Sequence, residues 1–101
     1  MYFGLTELAG NQPIWVITST DGVTPVAPTA APTYRVYQEG SSTVLVTGTM
    51  TGPVDTQTGL YRASIAVTAA NGFARGLSYI VQMAYAVAGV NYAQSGTFTV
   101  T

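Results

Sequence analysis

The sequence predicts an all-β, antiparallel sandwich of about seven short strands. Three observations carry this: apolar and polar residues alternate with period two, turn residues recur at short intervals, and no stretch has the apolar spacing of an amphipathic helix. All three are visible in residues 55–85. There Tyr61, Ala63, Ile65 and Val67 fall on one side of a strand, and Leu60, Arg62, Ser64, Ala66 and Thr68 on the other. Leu77, Tyr79, Val81, Met83, Tyr85 and Val87 repeat the alternation on a second strand. Between them Asn71, Gly72 and Gly76 tolerate the positive φ that a reversal needs, and Phe73 supplies a ring to close the core over the turn.

Residues 1–12 precede the first clear strand and read as an extended N-terminal arm, with 13–101 forming the sandwich. Tyr2, Phe3, Leu5 and Leu8 are spaced for neither a helix nor a clean strand, and Gly4 and Gly10 loosen the backbone. Apolar side chains on a flexible lead are costly unless covered. The arm therefore either folds back over its own domain or reaches a neighbouring subunit, and Tyr2, Phe3, Leu5 and Leu8, together with Trp15, are the candidate assembly contacts.

Residues 13–20 are apolar on both faces, Ile14 and Val16 against Trp15 and Ile17, so this strand is expected between layers or at an interface. Pro13 lacks a donor and suits a strand start. Asp21-Gly22 is a turn. Pro25, Pro28 and Pro32 hold residues 24–33 extended, the connection from one sheet to the other. A proline-rich ligand for an SH3-type groove is the weaker reading, because strands flank the segment tightly.

Residues 34–39 and 43–51 form a hairpin around Gly40-Ser41-Ser42, with Val44, Val46 and Met50 sharing the inward face with Tyr34 and Val36. Gly48 marks a bulge or a close approach. The last hairpin joins 77–87 to 90–101 at Ala88-Gly89. Residues 77–93 have the length of a transmembrane helix, but β-branched and aromatic residues at period two, punctuated by Gly89, assign them to strands and no membrane span is expected. Strands at this spacing argue for immunoglobulin-like connections, with a small barrel or jelly roll as the alternative.

Composition bears on function. Only 7% of residues are charged, lysine is absent, and the formal net charge is −1. Ordinary soluble domains carry about 25% charged residues, which keep them apart in solution. A surface of Thr, Ser, Gln and apolar groups favours association instead. Three scattered arginines cannot provide a phosphate-binding footprint, so nucleic acid is not an expected partner. The first residues lack a basic segment followed by an uninterrupted apolar run, the mark of a secretory signal, which leaves a host cytoplasm as the expected site of synthesis.

No catalytic, cofactor-binding or metal-binding residue is expected. Histidine, cysteine and lysine are all absent, so a serine or threonine nucleophile has no conventional base beside it. The four carboxylates, Glu7, Asp21, Glu39 and Asp55, are not spaced as a calcium loop. The seven tyrosines, which could make a sugar platform, fit packing at strand positions better.

The run Gly59-Leu60-Tyr61-Arg62-Ala63 resembles the G-x-Y-x-C segment opening strand F of immunoglobulin domains, with Ala63 in place of the cysteine. Gly59 and Tyr61, with Asn71, Gly72 and Phe73, are thus the candidate structural corner. Taken together, T-P-V-A-P-T-A-A-P-T-Y-R-V-Y, then T-G-L-Y, then T-A-A-N-G-F-A-R-G-L-S-Y resemble small immunoglobulin-like domains of tailed-bacteriophage structural proteins, over residues 13–100. The resemblance implies a non-enzymatic virion protein, first a capsid decoration or cement protein that stabilises the head. Its implied partners are copies of itself, as a homotrimer, and other virion proteins such as the major capsid protein. A neck, tail or baseplate component, or a module binding a host glycan or receptor through loops 21–31 or 71–76, is the alternative.

Overall fold

The computed structural model describes residues 1–101. Seven strands are present: β1 (Tyr2–Thr6), β2 (Asn11–Ile17), β3 (Thr33–Gln38), β4 (Val44–Thr49), β5 (Leu60–Ala66), β6 (Ser78–Val87) and β7 (Val90–Val100). Two single-turn 3-10 segments, Val54–Thr56 and Ala69–Asn71, are the helical content. Five strands pair in the order β1-β7-β6-β3-β4, and β2 pairs with β5 in a second sheet.

The period-two alternation places the core. Ile14 and Val16 of β2 and Tyr61 and Ile65 of β5 are buried along with Val36 of β3, Tyr79, Val81, Met83 and Tyr85 of β6, and Phe98 and Val100 of β7. Phe73 closes one end: its ring meets Tyr79 edge-on at 4.7 Å and lies 5.9 Å from Phe98. Gly72, at φ +94, turns the chain into this position. The apolar burial is the dominant stabilising term, since each such side chain contributes about 1.5–3 kcal/mol.

Residues 1–12 are not a free arm. Tyr2–Thr6 form β1, which pairs parallel with β7, so the larger sheet is mixed rather than purely antiparallel. Buried Gln12 holds β1 against β2: its Nε2 donates to the carbonyls of Phe3 (3.3 Å) and Pro13 (2.8 Å), and its Oε1 accepts from the Thr6 hydroxyl. The second strand begins at Asn11, and Pro13 sits inside it opposite Ser64.

Residues 18–32 carry the chain from the smaller sheet to the larger, as the prolines suggest. Ser19 bridges to Pro25, and Thr29 N–H donates to the Ala86 carbonyl at 2.8 Å. In the β3–β4 hairpin the bulge falls between Val36 and Tyr37, not at Gly48, and it turns Val44 outward to 43% exposure while Leu45 packs on the core. Gly48 is instead the close approach: a Cβ there would stand 2.5 Å from the Tyr34 hydroxyl oxygen. Ala88 and Gly89 both adopt positive φ, 50° and 81°, the conformation of a primed two-residue hairpin turn.

Candidate assembly surfaces

Trp15 and Ile17 alternate with core residues on β2, so the pleat turns them to the outer face of the smaller sheet. No further strand covers that face, and they are 41% and 49% exposed. With Met1, Val23, Pro25 and Gln94 they line a recess of about 290 Å³. Trp15 is held in place by Phe3, whose ring it meets edge-on at 4.9 Å. The expectation that this strand is buried on both faces therefore holds for one face only within a single chain.

A second apolar line crosses the outer face of the larger sheet. Tyr2 pairs with Thr97, Thr97 with Ile80, Ile80 with Tyr37, and Tyr37 with Val44, and paired residues share a face. Tyr2 is 57% exposed; Leu5, beside Thr99, is 67% exposed. Arg35 is tied across the same face to Gln82, its Nε donating to Oε1 at 2.8 Å. Of the candidate contacts, Tyr2, Leu5 and Trp15 thus stand at the surface, Tyr2 and Leu5 on one sheet and Trp15 on the other. Phe3 is a core residue and Leu8 packs against the core.

The hydroxyl-to-backbone bond expected of Tyr61 is made by Tyr79. Tyr61 lies on β5, in the smaller sheet, where its ring packs against Gly52. The tyrosine at the start of a strand, with its hydroxyl bonded to backbone a few residues upstream, is Tyr79, whose oxygen accepts from Ala74 N–H at 2.8 Å. Gly59 serves elsewhere, since at φ +80 it passes the buried Thr18, and its carbonyl accepts from Thr18 N–H at 2.9 Å. Tyr79→Phe is expected to cost about 1–1.5 kcal/mol, and Tyr61→Phe to change stability by only a few tenths. Paired urea denaturation curves check both.

Asp21 organises the turn after β2. Its Oδ1 accepts from Val23 N–H and Thr24 N–H, both at 2.8 Å, and from the Ser19 hydroxyl at 2.9 Å. These donors, the Thr24 amide foremost, lower its pKa from 3.8 to about 2. Because the folded pKa is depressed, the stabilisation is complete above the unfolded value and is lost as pH falls from about 4 towards about 2. The melting-temperature gap between the native chain and Asp21→Ala is expected to be level from neutral pH to about 4 and to close towards about 2.

No three acidic residues gather where they could hold a metal ion. A concavity of about 560 Å³ is a shallow trough on the outer face of the larger sheet, lined by threonine and alanine with Arg35 and Gln82. No helix is long and apolar enough to cross a membrane, and residues 78–93 lie in β6, its turn and β7. Compared with protein families, characterised proteins and solved structures, the chain matches no family, no relative and no structure.

Proposed function

We propose that this chain is a non-enzymatic structural subunit of a tailed-bacteriophage virion, a capsid decoration or cement protein that stabilises the head through protein–protein contacts. The observation that carries the reading is the exposed Trp15–Ile17 face on a chain with 7% charged residues. An aromatic anchor in a recess, free of charge at its centre, has the composition of an interface core. A subunit that binds only the assembled shell stabilises it by mass action and needs no turnover.

The strand order supports an immunoglobulin-like reading of the fold. β7, β6, β3 and β4 correspond to the G, F, C and C′ strands, β2 and β5 to B and E, and Tyr79 stands at the E–F corner. Loops 21–31 and 71–76 lie at opposite ends of the sandwich: Thr29 bonds near the β6–β7 turn, whereas Gly76 N–H donates to the Val100 carbonyl at the far end of β7. They do not form one joint binding site, so a glycan or receptor would have to be held by one loop alone.

The test uses shells of the virus that encodes the chain, prepared without it. Added protein is expected to bind and to raise the shell's melting temperature, and Trp15→Ser with Ile17→Ser is expected to abolish binding while the variant stays folded. Absence of binding to shells, with adsorption to host cells instead, overturns the reading.

A further inference from the structure

Three of the four sheet edges are partly capped by the chain itself, and β4 is the exception. On β2, Thr18 N–H donates to Gly59, so the groups turned away from β5 are those of Asn11, Pro13, Trp15 and Ile17. Pro13 has no N–H, and the Pro13 and Ile17 carbonyls accept from Gln12 Nε2 (2.8 Å) and Gln94 Nε2 (3.0 Å). On β5 the outward groups of Arg62 are both bonded to Thr51, and the Ala66 carbonyl accepts from Thr68 N–H and Asn71 Nδ2. β1 is interrupted at Gly4, φ 110°, and its Phe3 carbonyl is taken by Gln12.

β4 has no such cover. Met50 N–H donates to the Pro32 carbonyl, which with the register Tyr34↔Gly48 and Val36↔Val46 turns the N–H and C=O of Thr47 and Thr49 outward. Residues 43–51 contain no charge and no proline, two of the devices that blunt an edge, and the bulge lies ahead of Val46, clear of Thr47 and Thr49.

We propose that β4 pairs antiparallel with β4 of a second copy about a two-fold axis at Gly48, joining two five-stranded sheets into one of ten. The axis sets Thr47 of one copy opposite Thr49 of the other, twice, matching the residues whose groups face out. Gly48 meets its counterpart with no side chain to collide. Self-pairing is the fitting occupant because an uncharged strand brings no like charges together and threonine pairs well with threonine across a ladder. The contact is isologous and closes at two copies, so an open edge does not lead to fibres. The pairing does not depend on the virion reading and stands or falls separately.

Sedimentation equilibrium of the purified chain is expected to give twice the 10.5 kDa monomer mass. Thr47→Lys with Thr49→Lys sets like charges face to face and is expected to halve that mass, whereas Thr47→Lys with Thr49→Glu sets opposite charges together and is expected to restore it. In the native chain the Thr47 and Thr49 amides are expected to be protected from hydrogen exchange, and less so on dilution. A monomer up to millimolar concentration, a trimer, a double-lysine variant of unchanged mass, or unprotected amides at these two positions overturns the proposal.

Discussion

Gly96→Ala is expected to destabilise the chain by about 2–3 kcal/mol, a fall in melting temperature of roughly 10–20 °C for a domain of this size. Gly96 is buried on β7 opposite Val81, and the ring of Phe3 lies directly on it. A Cβ would stand 2.3 Å from one ring carbon of Phe3 and 2.9 Å and 3.0 Å from two others. The ring has little room to retreat, because the Trp15 indole meets it at 4.9 Å. The added methyl therefore pushes β1 off the sheet. Combining Gly96→Ala with Phe3→Ala is expected to cost less than the sum of the single changes, since the second removes the ring the first collides with. Thermal melts of the three variants check this.

Tyr85→Phe is expected to cost about 2 kcal/mol. The Tyr85 hydroxyl donates to the Ser19 carbonyl at 2.6 Å and accepts from the Ser19 N–H at 3.0 Å, joining β6 of the larger sheet to the chain leaving the smaller one. Removing the oxygen strands both backbone groups of a residue that is 8% exposed. The ring keeps its stacking on Tyr92, centroids 5.6 Å apart, so packing is conserved and the loss reports the hydroxyl alone. Faster hydrogen exchange at the Ser19 amide is the local signature, and unchanged exchange there would contradict this account.

What could be read before folding was whatever two-residue periodicity encodes. β5, β6 and β7, the hairpin turn at Ala88-Gly89 and the ring of Phe73 over the core all follow from side chains alternating across a pleat. β1 escaped because five residues interrupted by an irregular Gly4 carry too little pattern, and its partner β7 lies at the other end of the sequence. Gln12 was invisible for a similar reason: its value lies in the Phe3 carbonyl and Thr6 hydroxyl it reaches, which no local spacing announces.

The assembly residues show the same limit. Apolar Trp15 and Phe3 read alike in sequence, yet one is 41% exposed and the other 9%, because only the strand pairing decides which side of a sheet is covered. Tyr61 and Tyr79 both sit in strands beside a glycine-containing turn; which hydroxyl meets backbone depends on Ala74 being folded back over β6.

The parallel union of β1 and β7 has a mechanical consequence. Thr97 N–H bonds to the Met1 carbonyl at one end of the pair, and Thr101 N–H to the Thr6 carbonyl at the other. Tension applied between Met1 and Thr101 runs along these two strands in opposite senses, loading their bonds together in shear instead of unzipping them singly. The molecule is thereby built to resist being drawn out lengthwise.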